Sequence, residues 1–273
     1  MIFALVVVLD FRFPSIRLAR TRTKKVKAGS RGRSPHPAVV SETPLITEDA
    51  IHRWIALRTL WLYFPGVIAL LDYGSGNLRS VHKALLKVGA DVRIAQRPDE
   101  IAGAEAVVLP GVGAFDDCIN ALRKQELLEA SKKFVEAGKP FLGICVGYQA
   151  LFERSEEFNS CAAGLGLFQG NVVRFSEKSG LKIPQIGWNQ LEEINSQCPL
   201  YRGISNGSYV YFVHSFYPKP VDSKIVATRT TYGENFASSV WHDNVFATQF
   251  HPEKSQKVGL QLLKNFVDYA AGQ

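Results

Sequence analysis

Cys145 lies between two glycines, Gly143 and Gly147, at the end of an apolar run that begins at Pro140. The spacing G-x-C-x-G is that of a nucleophile elbow, in which a strand ends, the chain turns sharply at the nucleophile, and a helix begins. Glycine is needed on both sides because neighbouring backbone comes too close for a Cβ atom. The partial positive charge at the start of that helix favours a thiolate over a thiol. A buried structural cysteine in a core strand has the same spacing, so this motif alone leaves both interpretations open.

A second stretch, His251-Pro252-Glu253, supplies the other groups that cysteine-dependent amide hydrolysis requires. Such a reaction needs a base that takes the proton of the nucleophile and returns it to the leaving nitrogen, and a group that orients the base. In an extended segment, positions i and i+2 project to the same side, so Glu253 can hold the ring of His251. A lone His-Pro-Glu is more often a surface turn. Its occurrence in one chain with an elbow favours a Cys145, His251 and Glu253 triad.

The elements that must position these residues follow a regular alternation from Val67 onward. Short apolar runs predict strands over 67–71, 92–95, 106–109 and 141–144, and apolar stripes of helical period predict helices over 78–88 and 115–137. Alternating strands and helices predict a parallel sheet covered on both faces, with ligands at the carboxyl ends of its strands. Cys145 and the glycines of residues 110–113 would both lie at that edge.

Strands dominate the sequence after the elbow. The patterns predict strands over 171–175, 208–216 and 225–231, a hairpin that joins 238–241 to 245–250, and a closing helix over 258–270. Residues 67–273 are therefore predicted to form one α/β domain.

Residues 1–66 form a separate, basic extension. They hold 11 Lys and Arg against 4 acidic residues, which accounts for the whole net charge of +7. The remaining chain is neutral, so its charge gives no reason to expect a nucleic-acid partner. The apolar start is too short to span a bilayer and its basic run follows rather than precedes it, so neither a membrane segment nor a secretory signal is predicted. Three interpretations stay open for the extension: upstream sequence translated from a misplaced start, a disordered tail, or a targeting segment.

The cysteines and the remaining histidines give no metal signal. The four cysteines, Cys118, Cys145, Cys161 and Cys198, show neither metal spacing nor the density of a disulfide scaffold. A reducing cytoplasm is therefore the expected compartment. No metal and no cofactor are expected.

The motifs also carry a family resemblance. Residues 143–149, Gly-Ile-Cys-Val-Gly-Tyr-Gln, together with His251, Pro252 and Glu253, resemble the class I glutamine amidotransferases, whose Cys-His-Glu site hydrolyses glutamine to glutamate and ammonia. Within that class, residues 71–78, 109–113, 183–189 and 211–217 resemble the glutaminase subunits of imidazole glycerol phosphate synthase. The resemblance covers 67–273 and none of 1–66. Small departures are Val146, Tyr148 and Gln185, and they leave the triad intact.

The resemblance implies a flavodoxin-like, mostly parallel sheet with helices on both faces. It also implies a partner, the cyclase subunit of the synthase, which is a (β/α)₈ barrel in this family. Ammonia would pass to that subunit, which forms imidazole glycerol phosphate and an aminoimidazole carboxamide ribotide in histidine biosynthesis. A free-standing cysteine hydrolase or another pathway's amidotransferase has the same fold, and a non-catalytic interaction protein with a vestigial site is the third possibility.

Further site residues follow from chemistry and from the resemblance. The tetrahedral intermediate needs backbone donors, and the N–H of Val146, next to the nucleophile, is one. The resemblance places the second donor in the loop of Gly111 and Val112, whose peptide can flip. It also implies that Gln149, with the backbone of Ser215 and Phe216, holds the amino-acid head of glutamine.

A last set of residues is assigned to the partner surface by resemblance alone: Trp188, Asn189, His214 and Lys254. Without the resemblance, the sequence would place Trp188 and His214 in the core and leave Lys254 as a solvated charge.

Overall fold

A computed structural model of the chain describes residues 66–74, 77–177 and 180–272. The predictions made for residues 1–65 lie outside this described part. Within the described residues, no helix is both long and apolar enough to cross a bilayer.

The first half of the described chain alternates strands with helices, as its apolar periodicity predicts. The elements are β1 (Ile68–Leu71), α1 (Leu78–Lys87), β2 (Val92–Ala95), α2 (Pro98–Ala102), β3 (Ala106–Leu109), α3 (Phe115–Lys124), α4 (Leu127–Glu136), β4 (Phe141–Ile144) and α5 (Val146–Gln149).

Strands dominate the second half. They are β5 (Arg154–Ser155), β6 (Gly170–Arg174), β7 (Gln185–Gln190), β8 (Tyr209–His214), β9 (Phe216–Pro220), β10 (Val226–Tyr232), β11 (Glu234–His242) and β12 (Val245–Thr248). The chain closes with a short 3₁₀ turn, Pro252–Lys254, and helix α6 (Gln256–Ala270).

A seven-stranded sheet in the order β10-β11-β12-β4-β3-β1-β2 forms the centre of the domain. Its pairs from β12 through β2 are parallel, and the two pairs that involve β11 are antiparallel. All residues of β1, β3, β4 and β12 are buried, because central parallel strands are covered on both faces. The single, mostly parallel α/β domain predicted from the sequence is confirmed.

The helices form two groups. Helix α1 packs against α6, whereas α2 and α3 both pack against α4. Two small sheets, β5-β6-β9 and β7-β8, are added beside the central one.

The single long helix predicted over 115–137 is wrong. The chain forms two helices that break at Glu126, whose φ of 59° lies in the left-handed region. The buried residues of α3 end at Leu122, and the next position of an unbroken apolar stripe would be the charged Glu126. Restarting the helix at Leu127 turns the second stripe, which begins there, back to the core.

The single strand predicted over 208–216 is also wrong. Ser215 separates β8, which pairs with β7, from β9, which pairs with β6 in another sheet. No sequence pattern marks this division, because aromatic residues resume at Phe216 directly after Ser215. Strand β7 and helix α2 were missed as well, since both are short and only weakly periodic.

Candidate active site

The turn at Cys145 has the strained geometry that its glycine spacing predicts. Cys145 adopts φ 56° and ψ −106° between the end of β4 and the start of α5. A Cβ atom on Gly143 would lie 2.6 Å from the carbonyl oxygen of Gly147, and one on Gly147 would lie 2.0 Å from that of Leu109. Side chains at these positions are excluded, and the close backbone holds the cysteine in a sparsely populated conformation.

Strand register brings Cys145 and His251, the predicted nucleophile and base, together across more than 100 residues. Ile144 at the end of β4 pairs with Thr248 at the end of β12, and the N–H of Cys145 donates to the carbonyl of Thr248 at 2.8 Å. His251 follows three residues later, and its own N–H donates to the carbonyl of Tyr211 at 2.9 Å. Cys145 and His251 therefore meet at the carboxyl edge of the sheet, where parallel α/β folds carry their sites.

The imidazole of His251 lies between a carboxylate and the thiol. Its Nδ1 is 2.8 Å from Oε1 of Glu253, and both side chains are almost fully buried. Its Nε2 is buried and forms no hydrogen bond within the described residues, but Cys145 is close enough to interact with the ring. Burial alone lowers the pKa of His251, but the charge and hydrogen bond of Cys145, followed by those of Glu253, raise it above its ordinary value. The geometry suits a thiolate beside an imidazolium.

Asn77 adds a fourth member that the sequence analysis did not single out. Its side-chain N–H donates a short hydrogen bond to Oε1 of Glu253, the same oxygen that receives His251. Asn77 sits just before α1 with φ 71°, a left-handed conformation that Asn tolerates better than most residues. The loop after β1 thereby fixes the carboxylate.

A second buried polar chain reaches the sulfur from the other side. Nε2 of Gln249 lies 3.7 Å from Sγ of Cys145, and Oε1 of Gln249 accepts from Nε2 of Gln149 at 3.3 Å. The same Gln149 nitrogen donates to the carbonyl of Phe216 at 3.0 Å. The sequence analysis missed Gln249. The available signal was its position two residues before His251, the same i, i+2 spacing that relates His251 to Glu253.

A cavity of about 390 Å³ opens over the cysteine. It brings together most of the residues assigned from the sequence to the nucleophile, the oxyanion site and the substrate head. The predicted residues that line it are Val112, Cys145, Val146, Gln149, His214, Ser215, Phe216, His251 and Lys254. Gly111 and Glu253 lie outside this lining, as do Trp188 and Asn189.

Glu157 is the one carboxylate among the described residues that line this cavity, and the sequence analysis missed it. It is half-buried, and its Oε2 accepts from the N–H of Phe115 at 2.8 Å. Burial raises the pKa of Glu157 above its ordinary value. It lies on a short 3₁₀ turn without apolar periodicity, so no sequence pattern indicated a site residue at this position.

The loop after β3 packs directly against the elbow. A Cβ atom on Gly111 would lie 2.7 Å from the backbone nitrogen of Gly147 and 2.8 Å from Cβ of Val146. Gly113 has φ 98°, a conformation that L side chains rarely adopt. Glycine therefore allows this loop both its contact with the elbow and its turn into α3.

Trp188 and Lys254 lie on one exposed surface. Trp188 on β7 is 44% exposed, and its ring contacts that of Tyr211 on β8 with 6.1 Å between centroids. Nζ of Lys254 lies 5.7 Å from the Tyr211 ring centroid. A core position for Trp188, expected from the sequence without the resemblance, is not what the structure shows. The side chain of Asn189 instead donates to the carbonyl of Thr231 at 2.9 Å.

His214 is buried beneath the cavity wall. Its Nδ1 lies 2.8 Å from the carbonyl oxygen of Phe216 and its Nε2 lies 3.0 Å from Oε1 of Gln185. Burial lowers the pKa of His214 to about 3, so the ring is neutral near neutral pH.

Comparisons with known sequences point to one family. The family described as glutamine amidotransferase class-I matches residues 69–269. The imidazole glycerol phosphate synthase subunit HisH of Syntrophotalea carbinolica is 50% identical over 207 residues, which cover 74% of this chain and all of that protein. The subunit HisH of Thermosynechococcus vestitus is 50% identical over 201 residues, covering 73% of this chain and 95% of that protein.

Solved structures share the fold at lower sequence identity. PurLQS from Thermotoga maritima superimposes with a TM-score of 0.61 at 22% identity, covering 76% of this chain and 99% of that one. A crystal structure of a glutamine amidotransferase has a TM-score of 0.60 at 20% identity, covering 76% of this chain and all of that one.

Proposed function

This chain belongs to the class I glutamine amidotransferases and, within them, to the HisH subunits of imidazole glycerol phosphate synthase, and from that membership we propose how its residues perform the reaction. The proposed reaction is hydrolysis of glutamine to glutamate and ammonia at Cys145. The single observation that carries it is the meeting of Cys145 and His251 in one cavity wall, with the buried carboxylate of Glu253 held against Nδ1 of the same His251 ring.

The thiolate of Cys145 attacks the carboxamide carbon of glutamine and forms a tetrahedral oxyanion. The imidazolium of His251 gives its proton to the amide nitrogen, the carbon–nitrogen bond breaks, and ammonia leaves behind a thioester on Cys145. His251 then takes a proton from water, whose oxygen attacks the thioester carbon. Collapse of that second intermediate breaks the carbon–sulfur bond, releases glutamate and returns the thiolate. Glu253 keeps the imidazole oriented through both halves.

The oxyanion is proposed to receive the N–H of Val146 and one N–H from the loop that holds Gly111 and Val112. Val112 and Val146 both line the cavity, and Gly111 touches the elbow. Losing one such donor typically lowers the rate by roughly 10²–10³. We therefore expect weak glutaminase activity in the isolated chain if the loop presents a carbonyl at rest, and stimulation by about that factor when a partner flips it.

The cavity also suits the amino-acid head of glutamine. We assign its contacts to Gln149 and to the backbone of Ser215 and Phe216, all of which line the cavity. The carboxylate of Glu157 complements the α-ammonium group of the substrate, because a partly buried charge gains most from an opposite one nearby.

The partner is proposed to be the cyclase subunit, a (β/α)₈ barrel, which takes the ammonia and forms imidazole glycerol phosphate and the aminoimidazole carboxamide ribotide. Its docking surface would include Trp188, Asn189 and Lys254, with His214 beneath it. Trp188 and Tyr211 supply exposed aromatic area of the kind that is enriched at protein interfaces. A cytoplasmic location stays a prediction.

The nucleophile is tested with a glutamine-analogue diazoketone and mass spectrometry of the adduct. We expect labelling at Cys145 and, at the same concentration, none at the exposed Cys161. Stoichiometric labelling elsewhere, or glutaminase activity that survives Cys145→Ser, would contradict the assignment. Copurification with the cyclase subunit and a glutaminase assay of the pair test the proposed partner.

A further inference from the structure

Gln249 contacts the nucleophilic sulfur from inside the protein. Its side chain is completely buried, and its Nε2 lies 3.7 Å from Sγ of Cys145, within the range of an N–H···S hydrogen bond. It does not line the cavity that holds Val146 and Gln149. The contact therefore reaches the sulfur from the buried interior and not from the cavity.

The position of Gln249 is set by the same register that places the elbow. Ile144 and Thr248 pair at the ends of adjacent parallel strands, so the residues that follow them, Cys145 and Gln249, are also neighbours. The backbone N–H of Gln249 donates to the carbonyl of Ser238 at 2.8 Å, which ties it to β11 as well. The sheet thus holds this side chain beside the sulfur.

The orientation of the amide is fixed by a directional chain. The carbonyl of Phe216 accepts from Nε2 of Gln149, and the same nitrogen donates to Oε1 of Gln249. An amide whose oxygen is engaged by a donor must present its NH₂ group to its other neighbour. That neighbour is Sγ of Cys145.

We propose that Gln249 is a catalytic residue whose side-chain amide donates a hydrogen bond to the Cys145 sulfur and stabilises its negative charge. This inference rests on the proposed function of Cys145 as the nucleophile. The sulfur is negative twice in the cycle, as the attacking thiolate and as the leaving group when the thioester collapses. A donor that is already in place stabilises both states without reorganisation, and because it approaches from the buried side it does not compete with glutamine.

Other charged and titratable groups face the sulfur and must be held constant in any test. His251 lies on the segment after β12, Cys118 interacts with Cys145 from α3, and Glu157 and Lys254 line the same cavity. None of them is changed by substitution at position 249.

Two variants remove the donor in different ways. Gln249→Met keeps nearly the same length but has no N–H. Gln249→Glu keeps an oxygen for Gln149, removes the donor and adds negative charge beside the sulfur. Thr248→Val is the matched control, because Thr248 is buried on the same strand end and its hydroxyl bonds only the carbonyl of Phe250 in the described structure.

The first readout is alkylation of Cys145 by iodoacetamide as a function of pH, followed by mass spectrometry in each variant. The exposed Cys161 serves as an internal reference in the same molecule. We expect the midpoint of the Cys145 profile to rise by about one pH unit in Gln249→Met, and by more in Gln249→Glu, as loss of a hydrogen bond to a charged group predicts. The Cys161 profile and the Thr248→Val protein should match the wild type.

The second readout is steady-state glutaminase activity with the cyclase subunit present. We expect kcat to fall about tenfold in Gln249→Met, with KM within about twofold, because the residue contacts the sulfur but not the substrate. If Gln249→Met does not fold, Gln249→Glu carries both measurements.

A Cys145 alkylation profile that is unchanged in the folded Gln249 variants, with kcat equal to that of Thr248→Val, would overturn the inference. Failure of the proposed function has a different result, namely a wild-type protein with no glutaminase activity or one whose activity survives Cys145→Ser. The alkylation profile needs neither glutamine nor partner, so it measures the Gln249 contact in either case.

Discussion

At the residue scale, the site is two buried polar chains that converge on one sulfur. His251 and Glu253 approach Cys145 from one side, with Asn77 behind them, and Gln249 approaches from the other. Burying polar groups of this kind destabilises the fold unless each has a hydrogen-bond partner, so removing one member leaves the next without its partner. Single substitutions along either chain should therefore lower stability as well as activity.

The Asn77 amide is predicted to hold Glu253 in the orientation that His251 needs. Asn77→Gly removes the amide while permitting the left-handed backbone, and we expect kcat to fall by about tenfold because one charge-assisted hydrogen bond to the carboxylate is lost. Steady-state kinetics and thermal unfolding of the same preparation provide the measurement. A variant with wild-type kcat would show that the carboxylate needs only the histidine to hold it.

His214 is predicted to make the fold sensitive to acid. Its pKa is lowered by burial to about 3, so the unfolded chain binds a proton between that value and the ordinary pKa near 6.5, and the folded chain does not. The contribution of His214 to the free energy of unfolding is fully present above about pH 6.5. It falls as the pH drops below that value, by at most about 1.4 kcal/mol per pH unit.

Urea unfolding of the wild type and of His214→Phe from pH 7 to pH 4 measures this component. The variant should show a shallower loss of stability on acidification, whatever its stability at pH 7. The raised pKa of His251 has the opposite effect on stability. Its stabilising contribution is present at low pH and is lost as the pH rises through the folded-state pKa. The contributions of the two histidines can therefore be separated by their pH dependence. The prediction would be contradicted if the free energy of unfolding fell with the same slope in both proteins between pH 7 and pH 4.

At the element scale, the carboxyl ends of three neighbouring strands place the site. The carboxyl ends of β3 and β4 present the loop of Gly111 and the elbow of Cys145 side by side. The end of β12 adds Gln249 and His251 next to them.

The break between α3 and α4 offers a test of backbone strain. Glu126 holds a positive φ, which costs an L residue roughly 1 kcal/mol relative to glycine. Glu126→Gly should therefore raise the free energy of unfolding by up to about 1 kcal/mol, reduced by the greater freedom of glycine in the unfolded chain. Chemical denaturation measures the change.

The charge-matched control is Glu129→Gly, an exposed position inside α4. It should lower the free energy of unfolding by about 0.5–1 kcal/mol, the usual effect of glycine within a helix. Equal destabilisation by both substitutions would mean that the left-handed turn stores no strain.

The sequence predicted those features that depend on neighbouring residues. The period of apolar side chains located β1, α1, β3 and α6, and glycine spacing located the elbow at Cys145. Contacts between distant segments could not be read in this way, which is why Asn77, Glu157 and Gln249 were missed. Strand register or loop packing brings each of them to the site. Neither of these effects produces a periodic pattern that can be read from a single sequence. The split at Ser215 was missed for the related reason that β8 and β9 are separated by a single residue and differ only in their partner strands.

At the scale of the whole molecule, the exposed aromatic surface and the cavity lie close together. Lys254 lines the cavity and also lies over the ring of Tyr211, which contacts Trp188. A partner seated on this surface would therefore reach the rim of the site.

Trp188→Ala is predicted to weaken stimulation by the cyclase subunit while leaving the alkylation rate of Cys145 in the isolated chain unchanged. The ring is 44% exposed, and large aromatic side chains typically contribute about 2 kcal/mol or more when they anchor an interface. Titration of glutaminase activity with the cyclase subunit measures the change, and Leu181→Ala, another exposed apolar side chain, is the control. Equal stimulation curves for both variants would exclude Trp188 from the docking surface.

Removal of residues 1–66 is predicted to leave partner-stimulated glutaminase activity and the melting temperature unchanged. The matched family region begins at residue 69, and the relative from Syntrophotalea carbinolica is covered over its full length by 207 residues of this chain. The measurement compares residues 67–273 with the full chain in both assays. A truncated protein that melts many degrees lower would show that part of the extension, for example the apolar residues within 50–63, contributes to the fold.

The register of β4 against β12 also sets an order in time for a chain made from its amino end. Strands β1 to β4 are complete once residue 144 has been synthesised, but β4 then forms an open edge of the sheet, since its second neighbour is β12. His251, the proposed base for Cys145, arrives 106 positions later, after the intervening small sheets and the β11–β12 hairpin. The proposed triad therefore stays incomplete during synthesis until Glu253 has been added, when every strand of the central sheet has already been made.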